Sequence, residues 1–190
     1  MKIIDIIMLP ILILLLIIVG LLSSVLFIIN GRPIFFKQQR IGRYGKPFNI
    51  YKFRTLPIDY DKIHGLNVDV SAKELTPFNR FLREQSIDEL PQVINILRCE
   101  MSIVGPRPIT YNSPKNFDDY TFWERKKFES LPGITGLAQI NGRNSIPMRK
   151  RFAYDAAYKV LYRKYSLLID LVILYKTVNV VFKRKGQYEQ

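Results

Sequence analysis

The chain has 190 residues, 48% of them hydrophobic, and carries 29 Lys and Arg against 16 Asp and Glu, a formal charge of +13. That length holds one catalytic-sized domain plus a membrane element, and the apolar content excludes wholesale disorder. One cysteine, Cys99, excludes an intrachain disulfide framework, and one histidine, His64, excludes a multi-histidine metal site.

The basic excess calls for an anionic partner: nucleic acid, a phosphate-bearing substrate or an acidic membrane surface. Any metal would be a hard cation on oxygen ligands, because no soft or imidazole-rich ligand set exists.

From Ile6 to Ile29 there is no charged residue. Roughly 24 helical residues reach ~36 Å, enough for a hydrocarbon core of ~30 Å. A cleaved signal peptide fits poorly: the run is too long, Lys2 alone is basic before it, and no small-residue cleavage site follows. Arg32, Lys37, Arg40, Arg43 and Lys46 come next and place the following domain in the cytoplasm. Two topologies are open, a single span or a hairpin that re-enters the same leaflet. Pro10, Gly20 and Ser23-Ser24 are the points where such a helix breaks.

Residues 33–40 and 47–54 are short, rich in Phe, Ile and Tyr, and separated by Gly42-Arg43-Tyr44-Gly45-Lys46, a pattern that predicts a β-hairpin. Lys52 and Arg54 then share one strand face, with Phe53 turned to the core. A solvated cationic strand face explains them equally well. Residues 59–73, around His64, read as a surface loop, and 77–83 as a short helical or turn element.

Ile87, Leu90, Ile94 and Leu97 follow one face of a helix. Ser86 has the chemistry of its N-cap and Glu89 the capping-box spacing, with Pro91 in or just beyond the first turn. Asp88 then lies in the first turn, where the helix dipole favours its ionised form. Glu89 thus has a capping explanation. It also has a chemical one, because the acid pair is flanked by Arg83 and by Arg107 held between Pro106 and Pro108. Arginine is the residue best suited to phosphate, since its planar fork grips two oxygens at once.

Residues 132–144 hold three glycines and Arg143, which predicts either a loop approaching a ligand or plain turns. Residues 148–164 read as a helix with Tyr154, Asp155, Tyr158 and Tyr162 near one another on its surface. Residues 167–182 are strongly apolar and end in Lys183-Arg184-Lys185, which suits a core helix or one lying at a membrane interface. Cys99 reads as packing and His64 as incidental.

Four stretches in this order carry a resemblance: Tyr51 to Thr55, Phe81 to Gln92, Met101 to Pro108, and Pro132 to Asn144. They resemble the bacterial sugar transferase family, the monotopic phosphoglycosyl transferases that start polysaccharide and glycoprotein glycan assembly. The likeness runs from the N-terminal apolar segment to the helix beginning at Ser166, and the chain looks like the family's minimal form.

The resemblance implies an α+β fold, mainly helical. Residues 1–31 form the re-entrant or spanning membrane anchor helix. Residues 32–190 form a small cytoplasmic catalytic domain with a β-hairpin and interfacial amphipathic helices, at the bacterial inner membrane. It implies transfer of sugar-1-phosphate from a nucleotide sugar, taken as a UDP-sugar, to polyprenyl phosphate with release of UMP, and no nucleic-acid partner. By motif, Asp88 is the nucleophile and Glu89 binds Mg²⁺. Arg83 and Arg107 hold phosphate, and Lys52, Arg54, Arg143 and Asp155 are further members of the site. One departure is plain: the family's Ser-Pro break has no counterpart around Ile17 to Gly20. The competing readings are a non-enzymatic, membrane-tethered basic module binding anionic lipid or nucleic acid, and an enzyme that transfers the sugar alone.

Overall fold

A computed structural model describes residues 1–58, 75–111, 117–142 and 145–183. Within them the chain is mixed α and β and mostly helical. Helices α1 (Ile3–Ile7) and α2 (Leu9–Asn30) lead into strands β1 (Phe35–Ile41) and β2 (Pro47–Phe53). Helix α3 (Pro77–Glu84), a 3-10 turn (Ile87–Glu89) and helix α4 (Gln92–Leu97) follow, then β3 (Ser102–Val104) and β4 (Ile109–Thr110). The remainder is α5 (Phe122–Arg125), β5 (Gly133–Thr135), α6 (Leu137–Ile140), α7 (Met148–Tyr165) and α8 (Leu167–Lys183). The loop expected over 59–73 with His64, Arg143, and the basic run from 184 onward lie outside the described residues.

The hairpin forms as its sequence demands. β1 and β2 pair antiparallel with Phe35 opposite Phe53 and Ile41 opposite Pro47, and β4 adds to the far edge of β1. Phe35 stacks on Phe53 at 5.7 Å between ring centroids. Phe48 and Ile50 are buried in alternation on β2, and Phe53, out of phase with them, is buried at the strand's end. These side chains join Leu82 of α3, Val93 and Ile96 of α4, and Met101 in one core. The fully buried Asn95 fastens α4 to β2, donating to the Asn49 carbonyl at 2.7 Å and accepting from the Tyr51 amide at 3.1 Å.

α2 is long and apolar enough to cross or enter a membrane. Its Leu12, Val19 and Leu26, spaced by seven, form the buried stripe and belong to the same core. Ile13, Leu14, Ile17, Leu21 and Ile28 are among the large side chains left exposed on its other side. The helix runs unbroken past Gly20 and Ser23-Ser24, whose hydroxyls bond back to the carbonyls of Val19 and Gly20. The interruption comes at Met8, and Pro10 sits in the first turn of α2, where its missing N–H costs little. Both ends of this element are tied to the domain. Asp5 binds the Ser102 hydroxyl and the Ile103 amide, each at 2.9 Å. Asn30 bonds Asn79 at 3.0 Å.

The glycine-rich stretch packs against backbone at Gly133 to Gly136. β5 lies parallel to β3, and a Cβ on Gly133 would come within 2.0 Å of the Gly105 nitrogen. A Cβ on Gly136 would sit 2.1 Å from the Gly105 carbonyl oxygen. These glycines let two backbones meet, one of them leading directly into Arg107. Gly133→Ala is therefore expected to cost about 3 kcal/mol or more, because neither backbone can yield, and the melting temperature measures it.

Candidate active site

The acid pair is placed by a turn rather than by a capped helix. Ser86 adopts the left-handed conformation (φ 57) and its side chain makes no cap bond. Its amide bonds the Arg83 carbonyl at 3.0 Å, so Ser86 closes α3 instead of opening α4. The capping-box expectation is thereby corrected. α4 starts only at Gln92, and the 3-10 turn between the two helices carries Asp88 and Glu89. The expected face of Ile87, Leu90, Ile94 and Leu97 packs against the core but is only partly buried. Gln92, Val93, Asn95 and Ile96 are buried more fully. The segment is enclosed on more than one face.

Glu89 is gripped by two cations. Its Oε1 accepts from Lys52 Nζ at 2.8 Å and from Arg107 Nη2 at 3.0 Å. Burial opposes its ionisation, but Arg107 and Lys52 outweigh burial and hold its carboxyl well below the usual carboxylate range. Asp88 behaves in the opposite way. It is buried, and no hydrogen bond to its carboxylate exists among the described residues. Burial pushes the Asp88 carboxyl up to about 6, helped by Glu89 and resisted by Lys52, Arg83 and Arg107. The expectation that a helix dipole fixes its charge is thus replaced by desolvation. At neutral pH the group is ionised yet poorly solvated, the state of a reactive carboxylate.

Lys52 comes from β2, Arg83 from the last turn of α3 and Arg107 from the loop after β3. Pairing of β3 with β5 fixes that loop: the Gly105 amide bonds the Thr135 carbonyl at 2.7 Å, and the Gly133 amide bonds the Pro106 carbonyl at 2.9 Å. The structure therefore brings Asp88, Glu89, Arg83, Lys52 and Arg107 together.

Arg54 is placed elsewhere. It lies just beyond β2, and its guanidinium donates to the carbonyls of Asn30, Gly31 and Pro33, fastening the end of α2 to the hairpin. Asp155 and Tyr158, expected on the surface of α7, are both buried. Asp155 Oδ2 accepts from Lys127 Nζ at 2.8 Å. Burial drives Lys127 down and Asp155 up, each against the other's attraction, and Arg107 also lowers Lys127. This pair therefore stands within electrostatic reach of the Arg107 loop.

Two cations escaped sequence reasoning. Arg40 on β1 donates to the Pro108 carbonyl at 3.3 Å and to the Gln38 side chain, bracing the Pro-Arg-Pro segment. Burial and Arg107 bring it down to about 10, with Glu89 opposing. Its alternation with the buried Gln38 on one strand face was the available signal. Lys127 had none, lying in a run of ordinary surface charges.

Among the described residues no group of three or more His, Cys, Asp or Glu could hold a metal. Asp88 and Glu89 are the carboxylates that could share one with a ligand's oxygens. The described residues thus bring together a poorly solvated carboxylate and a clamped one, with two arginines and a lysine around them.

Comparison with known proteins narrows the class. A family model for bacterial sugar transferases matches residues 1–184. The chain is 44% identical over 156 residues to an uncharacterized sugar transferase of Bacillus subtilis, covering 82% of this chain and 73% of that one. It is 35% identical over 175 residues to the undecaprenyl-phosphate galactose phosphotransferase of Salmonella typhimurium (84% of this chain, 35% of the relative). It is 38% identical over 164 residues to the UDP-glucose:undecaprenyl-phosphate glucose-1-phosphate transferase of Xanthomonas campestris (82% and 33%). The chain spans about a third of the length of those last two relatives. It belongs to the bacterial sugar transferase family and is an enzyme of the transferase class.

Proposed function

We propose that this enzyme transfers sugar-1-phosphate from a UDP-sugar to polyprenyl phosphate through a covalent aspartyl intermediate, at the start of glycan assembly. The observation that carries this reading is the buried Asp88 carboxylate beside a Glu89 already neutralised by Lys52 and Arg107. A carboxylate attacking a diphosphate meets like charge, and cations placed beforehand offset that repulsion.

In the first half-reaction an Asp88 oxygen bonds to the sugar-bearing phosphorus, and the bond from that phosphorus to the bridging oxygen breaks. UMP leaves with the bonding pair. In the second, an oxygen of polyprenyl phosphate attacks the same phosphorus and the aspartyl oxygen departs as free carboxylate. Two steps at one site let two bulky substrates use the same cations in turn. Arg107 and Arg83 hold phosphate oxygens, and Lys52 keeps Glu89 ionised.

Mg²⁺ would fit the donor set as a hard cation, and Glu89 would hold it. When bound it supplies charge neutralisation to the diphosphate.

The acceptor is confined to a bilayer, which gives the apolar surfaces their purpose. The outer side of α2 and the exposed Leu168, Leu171, Val172, Tyr175 and Val178 of α8 are apolar, and α1 packs on α8 to join them. An exposed apolar surface of that extent suits lipid. With both ends of α1–α2 held by one domain, the element lies along a single leaflet, and the basic flank keeps the domain cytoplasmic.

The test is nucleotide release from a panel of nucleotide sugars, with polyprenyl phosphate in membrane extract as acceptor. UMP is expected; UDP release would mean transfer of the sugar alone. Excess EDTA is expected to reduce turnover by about a hundredfold or more, and undiminished turnover would remove the metal from the scheme.

A further inference from the structure

We propose that Asp5, assisted by Lys2, is a positioning residue that couples the apolar N-terminal helices to the Arg107 loop. The inference deepens the transferase reading and rests on it for its catalytic consequence.

α1 is a polar plug at the head of a greasy helix. Asp5 is completely buried, although a carboxylate in that position is costly unless it is fully paired. Its Oδ1 accepts from the Ser102 hydroxyl and the Ile103 amide, both at 2.9 Å. Its Oδ2 accepts from the Lys2 amide at 2.9 Å. Lys2 Nζ in turn donates to the Val104 carbonyl and to the Tyr158 hydroxyl, the latter at 2.5 Å. Tyr158 passes the chain on to Asp170 Oδ1 of α8 at 2.6 Å. Lys2 also lies 4.8 Å from the ring centroids of both Tyr158 and Tyr162.

Every residue of β3 is thus held by this cluster: Ser102 and Ile103 by Asp5, Val104 by Lys2. β3 runs straight into Gly105, Pro106 and Arg107, and its other edge is fixed on β5. A strand of three residues has few bonds of its own, so its placement depends on these side chains. A shift of β3 moves the guanidinium that grips Glu89. Seating of the membrane element and aim of the phosphate clamp are therefore one event. A buried carboxylate held by three donors, where a leucine would pack without partners, fits a site that sets registry.

The experiment compares full-length wild type, Asp5→Ala, Asp5→Asn and Ser102→Ala in lipid nanodiscs. Amide hydrogen exchange over 102–107 and turnover of a nucleotide sugar accepted by the wild type are both measured. Asp5→Ala is expected to speed exchange over 102–107 by about tenfold or more, leaving the hairpin unchanged. It should lower kcat by about tenfold to a hundredfold with little change in donor KM. Asp5→Asn keeps an oxygen acceptor for Ile103 and is expected to recover most of the kcat. Ser102→Ala should move both readouts the same way by less, and it carries the test if Asp5→Ala does not fold.

Unchanged exchange over 102–107, exchange that rises equally everywhere, or faster exchange there with unchanged kcat would each overturn the proposal. A wild type that turns over no nucleotide sugar defeats the functional reading instead. The exchange data then still decide whether Asp5 holds the Arg107 loop.

Discussion

Asp88→Asn is expected to lower UMP release by about three orders of magnitude or more, because the amide cannot form the covalent bond to phosphorus. The same change should raise the stability of the metal-free protein. In the folded state the Asp88 carboxyl keeps its proton up to about pH 6, driven by burial. In the unfolded chain it releases that proton near pH ~4. Between those values the folded state binds more protons, so stability falls as pH rises through the window and stays lower above it. At neutral pH ionised Asp88 costs the fold about 3 kcal/mol, and asparagine removes that cost.

Melting curves in excess chelator test this directly. The variant should melt above the wild type at neutral pH, and the gap should close as the pH falls towards about 4. Lost activity with gained stability marks a residue kept for chemistry at the expense of the fold. A variant that loses both together would make Asp88 a structural carboxylate.

Glu89→Gln should have the second largest effect on turnover and the opposite effect on stability. Its carboxylate is the counter-charge for Lys52 at 2.8 Å and Arg107 at 3.0 Å. Glutamine leaves both cations facing each other without it, and Arg107 then turns to solvent or to other partners. Turnover is expected to fall by about a hundredfold or more, through loss of clamp geometry and of a metal ligand. Stability should fall by roughly 1–2 kcal/mol, a figure kept low because Arg107 is partly open to water.

The pH sign also reverses. A carboxyl held below its ordinary range contributes stability above its unfolded value, and that stability is lost as the pH falls towards the folded one. Neighbouring carboxylates with opposite stability signs are a sharp test of the site. Equal shifts in one direction for both variants would contradict it.

Much of this was legible in the chain. The hairpin follows from alternation and a glycine-bounded turn, and α2, α7 and α8 from long periodic or apolar runs. The Asp88-Glu89 pair and the flanking Arg83 and Arg107 stood out as a candidate site because adjacent acids lie beside proline-fixed arginine. Misreadings came where one local pattern served two purposes. Ser86 has the side chain of an N-cap and the backbone of a helix stop, and only the direction of the departing chain separates them. At Gly133 and Gly136 the glycine-rich pattern left a ligand approach and plain turns open, and the space beside both glycines is taken by Gly105. Arg54 and Lys52 alternate correctly, but the strand ends between them, so the carbonyls at the foot of α2 capture Arg54.

The sequence by itself determined the hairpin and the long helices, the apolar N-terminal segment, the cationic character and the candidate acid pair. Each of those is set by neighbours within a few residues or by side-chain chemistry alone. Only the tertiary structure decided that Asp88 is desolvated while Glu89 is clamped, that Arg40 and Lys127 stand near the Arg107 loop, and that Asp5 reaches across the fold to hold β3. Burial and pairing belong to whatever surrounds a group, and here those surroundings come from segments dozens of residues away in the chain.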